Sequence, residues 1–131
     1  MKNYNLFLDD DPKRIPGKLS WIQHPPVEWV IVRNYKDFVE TIQRDGVPER
    51  ISFDHDLADE HYQEYHAMRD ERRPIDYSRL SEKTGYHCAK WLANYCVDNK
   101  IPIPQYYIHT LNPVGGANIV SILESARKAM Q

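Results

Sequence analysis

The chain alternates short strand-like runs with segments of helical periodicity, and this alternation restricts its architecture more than any other feature. Four runs are β-branched or aromatic and bounded by polar or turn residues: Tyr4–Asp9, Glu28–Asn34, Arg50–Asp54 and Gln105–His109. Tyr35–Asp45 places Phe38, Val39 and Ile42 on one helical face and stops at Gly46. From Thr84 to Asn99, residues Cys88, Trp91, Leu92, Tyr95 and Cys96 recur at i, i+3, i+4, i+7 and i+8, an amphipathic helix. A similar stripe of Ile119, Ile122, Leu123, Ala126 and Met130 closes the chain, with Arg127 and Lys128 where a helix dipole favours cations. Strands separated by helices imply a mostly parallel sheet covered on both faces.

Two segments fit this pattern less well. Pro12–Pro26 is rich in proline and reads as a loop with one short helical turn. Ala58–Arg79 is dense in charge without an apolar stripe and reads as a surface insertion, a partly helical lid. Residues 1–131 make one α/β domain with that insertion at about 58–80, long enough to bury a core. A net charge of −2 gives no general attraction to nucleic acid or to an anionic membrane, so nucleotide binding needs a local site. No apolar run approaches the roughly 20 residues of a membrane span, and three aspartates follow the brief N-terminal apolar stretch, which is no signal peptide. Cys88 and Cys96 lie eight apart on one helix, about 12 Å, too far for a disulfide. Reduced thiols in a cytoplasmic protein are the expectation.

In parallel sheets ligands bind beyond the carboxyl ends of the strands. Three of the four strands end in chemically capable residues: Asp9-Asp10-Asp11, Asp54-His55-Asp56 and His109-Thr110. Asp11 before Pro12 suits a helix N-cap, which accounts for one aspartate and not three. Carboxylates from the first strand facing Asp54 would repel one another unless a cation lies between them. Oxygen ligands favour Mg²⁺ or Mn²⁺, and Asp9, Asp10, Asp54 and Asp56 are the candidate ligands. His55 and His109 are candidates for acid–base work. His24, His61 and His66 are expected to face water, and His87 is an outside candidate in the first turn of its helix. In HTLNPVGGAN the expected order is a strand end, a turn at Asn112-Pro113, a close backbone approach at Gly115-Gly116, and then the last helix. Helix-start amides form a ready anion site, so Thr110, Asn112, Gly115, Gly116 and Asn118 are candidates for holding phosphate.

The acidic pair after the first strand, the aspartate after the third and the Thr after the fourth resemble receiver domains of response regulators. The chain departs from them in lacking a fifth strand with a terminal lysine, and His55 and His109 are foreign to that pattern. It is more similar to the cyclic-phosphate processing receiver-like domains of bacteria and phages. That likeness lies in Leu6–Asp10, Trp29 with Val32-Arg33-Asn34-Tyr35, Ser52–Leu57, Thr84-Gly85 with Trp91-Leu92, and His109–Asn118. It runs nearly the whole length apart from the insertion. The resemblance implies a receiver-like (flavodoxin-like) three-layer sandwich and the processing of cyclic or terminal phosphates, notably on RNA ends.

The resulting expectation is a metal-assisted phosphoesterase with Mg²⁺ or Mn²⁺ as cofactor. Its partner is a phosphate-bearing nucleotide or RNA end. Asp54 serves as ligand or nucleophile, and His55 and His109 as general base and acid. The alternatives are a non-catalytic nucleotide- or phosphate-binding module, or a degenerate receiver that binds a partner protein.

Overall fold

The computed structural model describes residues 3–131. Its sheet has four parallel strands in the order β2-β1-β3-β4. The strands are β1 (Asn5–Leu8), β2 (Val30–Val32), β3 (Arg50–Phe53) and β4 (Gln105–Ile108), each lying inside its expected run. The helices are α1 (Tyr35–Asp45), α2 (Asp59–Glu71), α3 (Gly85–Asn99) and α4 (Pro113–Ala129). The architecture is the receiver-like α/β class expected from the sequence.

Strand side chains alternate between faces. Leu6, Leu8, Ile51 and Phe53 join Phe38 and Ile42 of α1, Leu92 and Cys96 of α3, and Ile119 and Leu123 of α4 in one core. Phe7 and Ser52 leave on the other face, where the irregular segment between β1 and β2 provides the cover. His24 and Trp29 from that segment pack edge-on to Phe7, while His109 stacks on Phe7 with ring centroids 4.4 Å apart. The third layer of the sandwich is therefore an aromatic loop. Instead of the expected helical turn, this loop has isolated turns in which Arg14 N–H donates to Asp11 C=O and Lys18 N–H to Ile15 C=O. Its His24 is buried, contrary to the expectation that it faces water, because the loop must seal an apolar sheet face.

The charged insertion contributes α2 and a 3-10 turn at Tyr77–Arg79. Its periodicity is hard to read because polar groups as well as Met68 anchor the helix. Buried His61 accepts from Leu57 N–H (2.7 Å) and pairs with the Glu82 carbonyl (2.9 Å), so it too is turned inward. Buried Glu64 takes two bonds from Arg73, at 2.6 and 3.0 Å. The last helix starts earlier than expected, at Pro113, so Gly115 and Gly116 lie within its first turns.

The N-terminus of α3 docks directly against the end of β3. Thr84 caps the helix with its side chain, and the His87 ring accepts from the Thr84 N–H (2.9 Å), which gives His87 a structural task. Gly85 N–H donates to the His55 carbonyl at 2.8 Å. A Cβ at Gly85 would stand 1.8 Å from the Asp54 carbonyl oxygen, an approach that backbone cannot yield to cheaply. We expect Gly85→Ala to lower the unfolding free energy in urea by about 3 kcal/mol. An unchanged midpoint would show that this contact is slack.

Candidate functional site

The site follows from strand register. Leu8 pairs with Phe53, and Phe53 with Ile108. The ladder continues one residue further, with Asp54 N–H donating to Leu8 C=O and His109 N–H to Phe53 C=O. Asp9, Asp54 and His109 are therefore level with one another. By alternation they share the face of Phe7 and Ser52. All three are buried, and one ligand atom from each lies within 4.8 Å of the others. This Asp-Asp-His cluster can hold a metal ion. The donor set fits one, because Asp54 Oδ2 is buried without a hydrogen-bond partner.

A buried chain of hydrogen bonds leads away from the cluster. His109 Nε2 is 3.0 Å from Asp9 Oδ2, its Nδ1 is 2.7 Å from Ser52 Oγ, and Ser52 Oγ is 2.8 Å from His24 Nε2. Burial lowers the pKa of both histidines, outweighing the pull of Asp9 on His109. With both rings neutral, the acceptor-only carboxylate fixes every proton. His109 Nε2–H donates to Asp9, Ser52 O–H to His109 Nδ1, and His24 Nε2–H to Ser52. Both His109 nitrogens are thus occupied and the ring is fully buried, so it cannot act as a free general acid in the cleft.

Burial pushes the Asp54 carboxyl up to about 8, and the neighbouring charge of Asp9 adds to the shift; Arg14 and the Thr110 hydroxyl oppose it. Arg14, which sequence reasoning missed, extends its guanidinium to 3.6 Å from Asp9 Oδ2 and 3.7 Å from Asp54 Oδ2. These are ion-pair distances, too long for hydrogen bonds. Trp21 supports Arg14 at 5.5 Å and donates its indole N–H to the His109 carbonyl at 2.8 Å. Arg33 secures the acidic turn by donating to the Asp9 and Asp11 carbonyls at 3.0 and 2.8 Å. Asp10 beside them is raised to about 6 by burial and by Asp9. Asp11 caps no helix; its carboxylate closes a turn onto Lys13 N–H.

One residue further along, alternation sends His55 to the opposite side from Asp54. Its ring is buried between α4 and the 3-10 turn, where a Cβ at Gly115 would come within 2.3 Å of it. His55 Nδ1 lies 2.7 Å from Asp56 Oδ1 and Nε2 lies 2.9 Å from Tyr77 Oη, which also accepts from Asn118. Asn112 donates to both oxygens of Asp56 at 3.3 Å. Asp56 is therefore engaged with His55 and Asn112 and stands apart from the Asp9–Asp54–His109 cluster. The glycine amides differ from expectation as well. Gly115 N–H donates to the Asn112 side chain and Gly116 N–H to its carbonyl, each at 2.9 Å. These bonds cap α4 and leave neither amide for an anion, while Asn118 belongs to the Tyr77 side.

A cleft of about 120 Å³ opens over these groups, lined by Asp54, Asp56, Arg14, Thr110 and Asn112, with α2 as its far wall. Acidic groups that can hold a cation, an arginine beside them and a second oriented carboxylate thus lie at the carboxyl ends of a parallel sheet, where such sheets bind ligands. The family model described as "Cyclic-phosphate processing Receiver domain" matches residues 4–125, and the chain belongs to that family. No curated protein and no solved structure matches the chain. Among the described residues no helix is long and apolar enough to cross a membrane.

The raised Asp54 pKa sets the sign of a stability test. With a folded value of about 8 against roughly 3.9 unfolded, the native state holds a proton that the unfolded chain releases. The contribution is complete below the unfolded pKa and is lost as pH rises through the folded one. In EDTA, Asp54→Asn should melt higher than wild type, clearly at pH 9 and by less at pH 5. A melting difference that does not widen between those pH values would contradict the burial of an uncompensated charge.

Proposed function

We propose that this chain is a phosphoric-ester hydrolase acting on cyclic or terminal phosphates of nucleotides or RNA ends. The observation that carries this reading is the cleft floor, where Asp54, Asp56 and Arg14 converge beside the buried Asp9–His109 pair. Asp9, Asp54 and His109 would hold a divalent cation. Two carboxylates with one imidazole suit Mg²⁺ or Mn²⁺, and the nitrogen favours Mn²⁺. When bound, the ion neutralises phosphate charge and makes water a stronger acid.

The chain's own groups supply the rest. For His109 to present its Nε2 lone pair, its proton must sit on Nδ1. Ser52 and His24 permit this: Nδ1–H donates to Ser52, the Ser52 hydroxyl turns to His24 Nε2, and His24 carries its proton on Nδ1. Arg14 can swing from the carboxylates to phosphate oxygens, with Thr110 beside it. Asp56 is the base. Water attacks phosphorus, the phosphorus–ester oxygen bond breaks, the proton of water passes to Asp56, and the departing oxygen takes one from solvent. His55 acts through Asp56 by fixing its orientation, and Tyr77 fixes His55.

A non-catalytic phosphate-binding module is the second reading, favoured by the way Arg14 neutralises Asp9 and Asp54 without a metal. The two separate on a panel of 2′,3′-cyclic mononucleotides, cyclic dinucleotides and cyclic-phosphate RNA ends with Mg²⁺ or Mn²⁺. We expect wild-type turnover and a loss of about 10²–10⁴-fold in Asp56→Asn. Addition of His55→Ala to that variant should cost little more, because the pair acts as a unit. Binding without turnover on every substrate and with either ion would reject the hydrolase and leave the module.

A further inference from the structure

The far wall of the cleft has a chemistry that phosphate binding does not require. On α2, Tyr62, Tyr65 and His66 are spaced i, i+3 and i+4 and share one face, and all three line the cleft that holds Asp54 and Arg14. The buried positions of the helix are His61, Glu64 and Met68, and none of the three rings belongs to the hydrophobic core. Tyr62 is 37% exposed. Burial, and then the charges of Asp54 and Asp10, push its hydroxyl pKa up. Tyr65 is backed by Arg69, whose guanidinium lies 5.9 Å from its ring centroid, and it meets His66 at 5.6 Å. Across the cleft stands Leu111, in the turn after β4 and 59% exposed, a large apolar side chain with no place in the core.

We infer that the α2 rings and Leu111 form a slot for a nucleobase, so that the site takes a ribonucleotide phosphate and contacts the base as well as the phosphate. This rests on the phosphoester reading above and narrows its substrate class. An aromatic wall facing an aliphatic one binds a flat heterocycle by stacking, without selecting its hydrogen-bonding edge. The volume, about 120 Å³, lies well below the roughly 300 Å³ of sites that enclose whole drug-sized ligands. A single flat ring fills it, and the sugar and the rest of a longer strand stay outside. Arg14 and Asp54 fix the phosphate end, and Tyr65 with Leu111 sets the base end. Purines, with the larger stacking face, bind better than pyrimidines.

The test compares adenosine 2′,3′-cyclic phosphate with the base-free analogue, 1-O-methylribose 2′,3′-cyclic phosphate. Affinity is measured by calorimetry and hydrolysis by phosphate-product chromatography, for wild type, Tyr65→Ala, Tyr65→Phe and Leu111→Ala. The wild type should bind the adenosine ligand roughly 10- to 100-fold more tightly. Tyr65→Ala and Leu111→Ala should shrink that preference towards unity, while Tyr65→Phe, which keeps the ring, retains it. Equal affinity of the wild type for both ligands, or a preference untouched by Tyr65→Ala, overturns the slot. Base discrimination in binding with no hydrolysis of either ligand upholds the slot and rejects the hydrolase. Failure of both ligands to bind overturns both.

Discussion

Two carboxylates, Asp9 and Asp54, are buried side by side at the ends of adjacent parallel strands, and much of the surrounding structure answers the cost of placing them there. Like charges out of water disfavour ionisation of at least one member. The chain responds with the Arg14 guanidinium, with His109 donating to Asp9, and with Asp54 raised towards the neutral acid. Trp21 holds Arg14 in place and Arg33 holds the acidic turn, so the irregular loop is ordered by the same problem. A fold that needed only stability would place apolar side chains at these positions. Paired buried carboxylates with an orphaned oxygen are groups that could hold a cation.

Parity along the strands then distributes the chemistry. Asp54 and His55 are neighbours in sequence, yet one faces the aromatic loop and the other the helices. Two hydrogen-bonded assemblies result, Asp9–His109–Ser52–His24 on one side and Asp56–His55–Tyr77–Asn118 on the other. Both imidazoles are sealed from the cleft, whereas Asp54, Asp56 and Arg14 line it. His109 and His55 are each held by hydrogen bonds at both ring nitrogens.

Much of this was legible in the sequence. The four strands, α1 and α3 follow from periodicity, and the gathering of Asp9, Asp54 and His109 follows from parallel strand ends. The opposed facing of His55 was also available, since residue parity is a property of any strand, but convergence of strand ends alone does not reveal it. Other features needed the tertiary structure. Arg14, Ser52 and Tyr77 are common residue types without local pattern, and only packing makes them partners of the site. The Gly115-Gly116 pair resembled an anion loop, yet the structure uses Gly115 to admit the His55 ring, a role set by a residue 60 positions earlier. The helix α2 escaped apolar periodicity because His61 and Glu64 anchor it by hydrogen bonds and ion pairs. His24 looked like a loop residue because nothing local signals that its loop covers a sheet face.

The central claim, that the buried Asp9–Asp54–His109 cluster is a cation site, is tested most directly by electron paramagnetic resonance of Mn²⁺ titrated into the protein. Free Mn²⁺ gives a six-line signal that fades when the ion is bound. One equivalent should disappear from the free signal in wild type, and markedly less in His109→Ala and Asp54→Asn at the same concentrations. A free signal that stays complete with wild-type protein at millimolar Mn²⁺ would contradict the claim and leave Arg14 as the only cation these carboxylates hold.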